Sequence, residues 1–193
     1  MPLVEMLKAY LGAADTITRG RDLHTGDPGH GVIPPTSFVA SLVPVFAGLA
    51  LSFRLKGEPR VAVTWVGDGA RWTAEFHEGM NLAATKRVPL VLVLQDNQVA
   101  LGTHGSAHSK APCDQMAAAY GVDGLTCDGN NVLDVHAATS EAVSRCRAGN
   151  GPVMLTASTF RMGGHATHDE AEGRSLFAKE IFEHWGQRDP IGT

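Results

Sequence analysis

Two short hydrophobic runs, separated by an amphipathic helical segment, dominate the middle of this chain. Residues 60–66 are RVAVTWV and residues 90–95 are LVLVLQ, the apolar and β-branched composition typical of strands covered on both faces. Between them, EFHEGMNLAATKR places apolar residues at helical spacing, with charged residues on the opposite side. Strand, helix and strand in this order predict a parallel unit with a right-handed crossover. The sequence therefore predicts an α/β fold in which helices flank a parallel sheet.

A polar turn follows each of these two strands. Gly67, Asp68 and Gly69 come after the first strand, and Asn97 comes after the second. Ligands of parallel sheets bind beyond the carboxyl ends of the strands, so both turns are placed to contact one ligand. Magnesium is typically held by one or two carboxylates plus the phosphates of its ligand. Asp68, Asn97 and a nearby main-chain carbonyl, such as that of Val99, are suitable oxygen donors for a metal-bound diphosphate.

The bland alternatives to this site stay open at the level of sequence. A Gly-Asp-Gly turn by itself is explained by turn chemistry, and Asp68 can serve as a helix N-cap. His104 and His108 are four residues apart and could bind zinc on a helix, but Gly105 and Ser106 disfavour that helix. The glutamate that a zincin requires after its first histidine is also missing. We expect loop contacts there rather than a zinc site.

Length and composition fit one substantial core. A chain of 193 residues can bury about 70% of its unfolded surface, so we expect residues 1–193 to form a single α/β domain. Hydrophobic residues make up 44% and aromatic residues only 6%, which predicts an aliphatic core. The net charge of −4 argues against a general nucleic-acid-binding protein.

Cysteine usage and hydropathy bear on the compartment. Cys113, Cys127 and Cys146 are widely separated and odd in number, which favours a reducing compartment. The first twenty residues lack the basic start and apolar core of a secretory signal, and no apolar run is long enough to span a bilayer. We therefore expect a cytoplasmic protein without a membrane partner.

The remaining pattern predicts further elements around the central unit. The segment 161–174 is rich in glycine and histidine, the composition of a mobile loop. The other expected elements are helices over 1–15, 39–55, 110–120, 132–147 and 177–185, and strands over 124–127 and 153–159.

The segment GDGARWTAEFHEGMNLAATKRVPLVLVLQDNQVALGT resembles the thiamine-diphosphate motif in the alpha subunits of 2-oxo acid dehydrogenases. This family contains the decarboxylating components of the pyruvate, branched-chain 2-oxo acid and acetoin systems. Three further blocks resemble the family in the same order: PPTSFVASLVPVFAGLALSFRLKG, TASTFRMGGHATHDEAEGRS and HWGQRDPI. The resemblance implies a three-layer thiamine-diphosphate-binding fold, of the module type that binds the diphosphate.

Matching positions imply the cofactor site. Asp68 and Asn97 would be side-chain ligands of Mg²⁺, and the carbonyl of Val99 would be the third protein ligand. The residues implied to line the diphosphate are Gly67, Gly69 and Ala70.

The same resemblance implies contacts to the rest of the cofactor. The main chain of Ser37 and Val39 matches the positions that meet the aminopyrimidine, although Ser37 could instead cap a helix beginning near Val39. His165 matches the catalytic histidine of a loop that covers the cofactor, while its alternative is a surface histidine at a turn. Arg161 would order that loop. Ala166 stands where animal relatives carry a phosphorylated serine, so we expect no kinase control at this residue.

The resemblance also implies an activity and its partners. The alpha subunit acts with a beta subunit that supplies the activating glutamate, as a heterotetramer of two alpha and two beta chains. Together they decarboxylate a 2-oxo acid, or cleave acetoin, and pass the acyl group to a lipoyl-bearing acyltransferase. This chain alone is then expected to be inactive. The family's alpha subunit starts upstream of Met1, with a tyrosine–arginine pair that grips the diphosphate, and it continues beyond Thr193.

Two other functions remain possible on the sequence. A transketolase-like half-subunit shares the cofactor motif, but QVALGT and FRMGGHATHDE favour the dehydrogenase. A truncated, non-catalytic scaffold subunit would keep the fold and lose cofactor binding.

Overall fold

The computed structural model describes residues 2–192, and the chain divides into two compact units at residue 42. The prediction of one domain over 1–193 stays a prediction. The first unit contains one short helix and a 3₁₀ turn at Pro28–His30, and the second contains the sheet. The helices are α1 Leu3–Tyr10, α2 Leu42–Lys56, α3 Ala74–Thr85, α4 Gly105–His108, α5 Met116–Ala119, α6 Val132–Arg147, α7 Glu170–Ser175 and α8 Lys179–Gly186.

A four-stranded parallel sheet forms the centre of the second unit. Its strands lie in the order β1, β2, β6, β5, and a two-stranded antiparallel hairpin of β3 and β4 lies apart from it. The strands are β1 Ala62–Gly67, β2 Leu90–Asp96, β3 Val99–Ala100, β4 Thr103–His104, β5 Asp123–Asp128 and β6 Val153–Ser158. The predicted β1–α3–β2 unit is therefore present, with both strands parallel and adjacent.

Helices cover both faces of the sheet. Leu90 and Val91 are consecutive in β2 and point to opposite faces, as in any strand. Leu90 packs in a cluster with Ala50 of α2 and Ala83 of α3. Val91 packs on the other face against Ala142 of α6. This three-layer arrangement confirms the predicted fold class.

Local sequence explains where the two central helices begin. The Thr73 hydroxyl accepts a hydrogen bond from the amide of Phe76 at the start of α3. Asn131 caps α6 by accepting from the amides of Leu133 and Asp134. These are the side-chain N-caps that satisfy otherwise unpaired helix donors.

Helices α2 and α3 approach each other at a glycine. A Cβ on Gly79 would lie 2.7 Å from the Pro44 nitrogen and 2.8 Å from Cγ1 of Val43, so only glycine allows this spacing. Pro44 is the third residue of α2, where its missing amide hydrogen costs no helical hydrogen bond. The sequence argument that Pro44 must lie in the first turn agrees with this start.

Three element predictions need correction. Helix α2 begins at Leu42, so Ser37 does not cap a helix near Val39. The predicted helix over 110–120 is instead a 3₁₀ turn at Cys113–Gln115 followed by the single turn of α5. Within the predicted loop 161–174, residues from Glu170 onward form α7. In the described part of the chain, no helix has the length and apolar character to cross a membrane.

Candidate functional site

Asp68 lies at the carboxyl end of β1, where the strand passes into a 3₁₀ helix. Only 3% of its surface is exposed. Gly67 occupies the N-cap position of the 3₁₀ helix and Thr73 caps α3, so the carboxylate of Asp68 is not used as a helix cap. A carboxylate buried at the edge of a parallel sheet is available for a ligand or a metal ion.

The second polar turn follows β2 at the same edge of the sheet. The side-chain oxygen of Asn97 accepts a hydrogen bond from the amide of Val99, at 3.2 Å, and this shapes the turn into the β3–β4 hairpin. Val99 is 3% exposed. An amide oxygen has two lone pairs, so one acceptor site on Asn97 stays available beside this hydrogen bond.

A close contact brings the two turns together. A Cβ on Gly69 would lie 2.4 Å from the Cβ of Ala100 in the hairpin, a separation that side chains do not adopt. Glycine at this position therefore lets the first turn lie directly against the segment that follows Asn97. The structure thus brings together Asp68, Gly69 and the Val99–Ala100 strand, whereas Gly67 has open space around its α-carbon.

A cavity of 280 Å³ opens beside Asp68. The residues that carry its chemistry are Asp68, Arg71, Asp96, His104, His108, Ser109, Lys110 and Cys113. Burial raises the pKa of Asp68 above its usual range, and the negative charge of Asp96 raises it further. His108, the amide of Gly69 and Arg71 act in the opposite direction. The Nε2 atom of His108 lies 3.8 Å from Oδ2 of Asp68.

Arg71 is a buried cation in the wall of this cavity, with 3% of its surface exposed. Its Nη2 donates to the hydroxyl of Ser109 at 2.5 Å and to the carbonyl of Ala111 at 2.8 Å. Its guanidinium also lies over the ring of Trp72, 5.0 Å from the centroid. Its Nε and Nη1 atoms are buried without a hydrogen-bond partner.

Cys113 lies in the same wall, but its chemistry differs. Burial, followed by the negative charge of Asp96, raises the pKa of its thiol to about 12. The thiol therefore stays protonated at neutral pH and is a poor nucleophile or metal ligand.

The predicted catalytic loop is held by two carboxylates. Asp169 accepts from the amides of His165 and Ala166, at 3.0 and 2.7 Å, and Glu170 accepts from the amide of Gly164. The imidazole of His165 is exposed and does not line the cavity beside Asp68. The geometry therefore does not bring His165 to the predicted metal ligands.

Arg161 connects this loop to the hairpin. Its Nη2 donates to the carbonyl of Leu101 at 2.7 Å, and its Nε donates to the carbonyl of Gly163. These contacts agree with the ordering role expected for Arg161.

Ser37 and Val39 lie in the first unit, where both are exposed. The hydroxyl of Ser37 is 3.4 Å from Nε2 of His24. Their contact with a cofactor stays a prediction, as does the lining role of Ala70, whose carbonyl accepts from the amide and the hydroxyl of Thr73.

The histidine pair four residues apart does not act as one unit. His104 accepts at Nδ1 from the amide of Ser106 and packs against Phe177, whereas His108 faces Asp68. Across residues 2–192, no group of three or more His, Cys, Asp or Glu side chains is placed to hold a metal ion. This search does not address the predicted Mg²⁺ ligands, which combine one carboxylate with an amide and a main-chain oxygen.

Sequence reasoning missed the roles of Arg71, Asp96, His108 and Cys113. Arg71 and Asp96 adjoin the two turns and carry charge, so their position was a usable signal. His108 and Cys113 reach the site only because the segment after the hairpin folds back, and no local pattern indicates that.

Comparison with known proteins identifies the family. The model of the family described as "Dehydrogenase E1 component" matches residues 1–193, which is the whole chain. The chain belongs to this family. A pyruvate dehydrogenase E1 component subunit alpha from Acholeplasma laidlawii is 34% identical over 84% of the chain and 47% of that protein. The subunit from Porphyra purpurea is 34% identical over 99% of the chain and 58% of that protein.

The chain spans about half the length of these curated relatives of the E1 component family. Among solved structures, benzoylformate decarboxylase from Polynucleobacter necessarius matches 83% of the chain and 33% of its own length, with a TM-score of 0.53. At 13% identity, this likeness concerns the fold alone. It agrees with the parallel sheet and flanking helices of this E1 component chain.

Proposed function

We propose that this chain is part of the alpha subunit of a thiamine-diphosphate- and Mg²⁺-dependent 2-oxo acid dehydrogenase. The proposed reaction decarboxylates a 2-oxo acid, or cleaves acetoin, and passes the acyl group to a lipoyl carrier protein. Membership of the dehydrogenase E1 component family supports this class of reaction. The relatives named as pyruvate dehydrogenase subunits make pyruvate the first substrate to test.

The observation that carries the proposal is the buried carboxylate of Asp68 beside the turn of Asn97. Burial disfavours the charged form of Asp68, as its raised pKa shows, and a divalent cation would restore the balance. Carboxylate, amide and main-chain oxygens are the hard donors that Mg²⁺ prefers. The close approach at Gly69 leaves the main chain free to face a diphosphate. The residues present therefore fit the proposed group.

In this proposal the protein's residues bind and orient, and the cofactor carries the bond cleavage. Thiamine diphosphate, when bound, supplies the carbon nucleophile and the acceptor for the electron pair released with carbon dioxide. Asp68, Asn97 and the carbonyl of Val99 hold Mg²⁺, while Gly67, Gly69 and Ala70 line the diphosphate. His165 handles a proton on the substrate side once its loop moves over the site, and such loop closure is common in enzymes.

Exposed apolar surface supports a protein partner. Helix α2 is apolar on all sides, which is typical of a helix that becomes buried. Yet Val45 and Leu55 are exposed, by 52% and 78%, and Trp65 on the edge strand β1 is 69% exposed. We infer that a beta subunit covers part of this surface in a heterotetramer of two alpha and two beta chains. The lipoyl-bearing acyltransferase and the cytoplasmic location remain proposals from the sequence.

Calorimetric titration with thiamine diphosphate and Mg²⁺ tests the proposal. The full chain is titrated with and without the beta chain encoded in the same organism. We expect saturable binding with the beta chain, and a loss of at least about a hundredfold in affinity for Asp68→Asn, because a metal ligand is removed. Asp123→Asn, at the opposite edge of the sheet, is the matched control and should bind normally.

The outcomes of this titration separate the candidate functions. Absence of binding heat in both arms would overturn the dehydrogenase proposal and leave the non-catalytic scaffold. Binding with turnover of sugar phosphates but not of 2-oxo acids would instead support a transketolase-like half-subunit.

A further inference from the structure

Arg71 is the one side chain of the cavity whose charge has no counterpart in contact within residues 2–192. It is 3% exposed, and its two partners, the Ser109 hydroxyl and the Ala111 carbonyl, are neutral and share a single nitrogen. Two of its nitrogens, Nε and Nη1, are buried with no hydrogen-bond partner in the described chain. Buried charges in proteins are normally paired, because removing a charge from water costs several kcal/mol.

The nitrogens without partners point to a missing anion. A guanidinium presents its donors as a planar fork, which matches the paired oxygens of a phosphate or a carboxylate. Loss of a protein partner does not explain the two free donors of Arg71, because neither Asp68 nor Asp96 reaches hydrogen-bonding contact with it. The expected partner therefore comes from outside the described residues.

A second side chain in the same cavity has the same property. Both ring nitrogens of His108 are buried without a hydrogen-bond partner, although Nε2 lies 3.8 Å from the carboxylate of Asp68. Arg71 and His108 thus bring unpaired nitrogens to the wall of one 280 Å³ cavity, which also contains Lys110. Asp68 and Asp96 add negative charge to that cavity, so an anion would enter most favourably together with a divalent cation.

We propose that Arg71, assisted by His108, binds the diphosphate of the Mg²⁺-bound cofactor. This inference rests on the proposed function and deepens it, since Arg71 lies two residues after Gly69, in the turn proposed to line the diphosphate. A phosphate fits better than a substrate carboxylate because the ligand must meet both a cationic fork and the metal ligand Asp68. Arg71 thereby has two roles: Nη2 holds the 109–111 segment, and Nε and Nη1 hold phosphate oxygens.

Three variants separate binding from loop positioning. Arg71→Gln removes the charge and the fork, and Arg71→Lys keeps the charge but loses the fork. Ser109→Ala removes one partner of Nη2 and leaves Nε and Nη1 intact, so it is the matched control. Each full-length variant, with the beta chain, is titrated calorimetrically with Mg²⁺ plus thiamine diphosphate, and separately with Mg²⁺ plus inorganic pyrophosphate.

The expected pattern is specific to an anion-binding role. Hydrogen bonds to charged groups predict that Arg71→Gln weakens binding of both probes by about tenfold to a hundredfold. Arg71→Lys should weaken it by an intermediate factor, and Ser109→Ala by no more than about twofold. The increase in Tm caused by saturating cofactor should shrink in Arg71→Gln, because ligand stabilisation follows affinity.

Opposite results identify which claim fails. If the original protein does not bind thiamine diphosphate, the proposed function is overturned and this inference falls with it. If the original protein binds and the Arg71 variants bind equally well, only the role of Arg71 is overturned. If Ser109→Ala loses as much affinity as Arg71→Gln, Arg71 acts by positioning the loop. Should Arg71→Gln fail to fold, Arg71→Lys decides: unchanged affinity for both probes contradicts the proposal.

Discussion

Single residues at the carboxyl edge of the sheet determine what this site can bind. Asp68 is buried, and its pKa is raised by burial first and by Asp96 second. The folded protein therefore holds a proton on Asp68 more tightly than the unfolded chain does. Its charged form costs stability at neutral pH, and that cost disappears as the pH falls through the raised pKa.

This sign gives a prediction for the ligand-free protein. Asp68→Asn keeps the shape and removes the buried charge, so Tm at pH 7 should rise by about 2–4 °C, the shift expected for about 1 kcal/mol in a chain of this size. The gain should narrow as the pH is lowered towards the pKa of Asp68. Thermal unfolding followed by circular dichroism at both pH values measures it. A lower Tm for Asp68→Asn at pH 7 would show that the carboxylate stabilises the empty site.

Cys113 yields a second prediction at this scale. With a pKa raised to about 12, about one thiol in ten thousand is ionised at pH 8, so iodoacetamide should label Cys113 far more slowly than a free cysteine. Mass spectrometry of the folded protein measures this, with protein unfolded in urea as the control. Labelling of the folded protein at the rate of the unfolded control would contradict the described burial.

The sequence revealed the residues of this site in proportion to how local their signals are. Asp68 and Asn97 follow hydrophobic strands directly, so strand order alone places them at one edge. Arg71 and His108 carry free nitrogens only because the 105–113 segment folds back on the first turn. That folding depends on tertiary contacts, which no periodicity in the sequence encodes.

At the scale of elements, strong periodicity predicted well and weak periodicity did not. Helix α6 has the predicted bounds, 132–147, because Asn131 provides a cap and the helical pattern is continuous. Its buried face differs from the apolar one suggested by the sequence: Val132 is 72% exposed, whereas Ala142 and Cys146 are buried. Small residues let α6 approach the sheet closely, and a hydrophobicity pattern undervalues them.

The crossing of α2 and α3 predicts opposite effects for the same substitution at two glycines. Gly79→Ala would place a methyl group within 3 Å of Val43 and Pro44 and should destabilise the protein by about 1–3 kcal/mol, the usual cost of overpacking. Gly48→Ala, in the same pair of helices, meets no atom within 4 Å and should stabilise it by about 0.5–1 kcal/mol. Urea unfolding measures both. Equal effects would show that the helices separate at this crossing.

The loop of His165 has its own pH dependence. The amide of Ala166, followed by that of His165, holds the pKa of Asp169 below its usual range. A lowered pKa means that the stabilisation is present above the ordinary value of 3.8 and is lost as the pH falls through the folded value. Asp169→Asn should therefore loosen the loop already at pH 7.

Hydrogen exchange of the His165 and Ala166 amides measures this loosening. We expect faster exchange in Asp169→Asn, with Glu180→Gln on α8 as the control substitution. Unchanged exchange at these two amides would mean that other contacts, such as those of Arg161, hold the loop.

At the scale of the whole molecule, the chain is a member of the dehydrogenase E1 component family that spans about half the length of its curated relatives. The fold class followed from the order of strands and helices, because parallel units leave few topologies. The exposed Trp65 and the outer side of α2 could not be foreseen, since exposure depends on which neighbours cover an element.

The central claim is that Asp68 and Asn97, from consecutive turns, share one Mg²⁺ bound to the diphosphate of the cofactor. Crystals of the chain with its beta partner, thiamine diphosphate and Mn²⁺ in place of Mg²⁺ test this by anomalous scattering. The account predicts one peak at about 2.0–2.3 Å from the Asp68 carboxylate, the Asn97 amide oxygen and the Val99 carbonyl. A peak held by Asp96 or His108 instead, or a metal ion that does not contact Asn97, would contradict it.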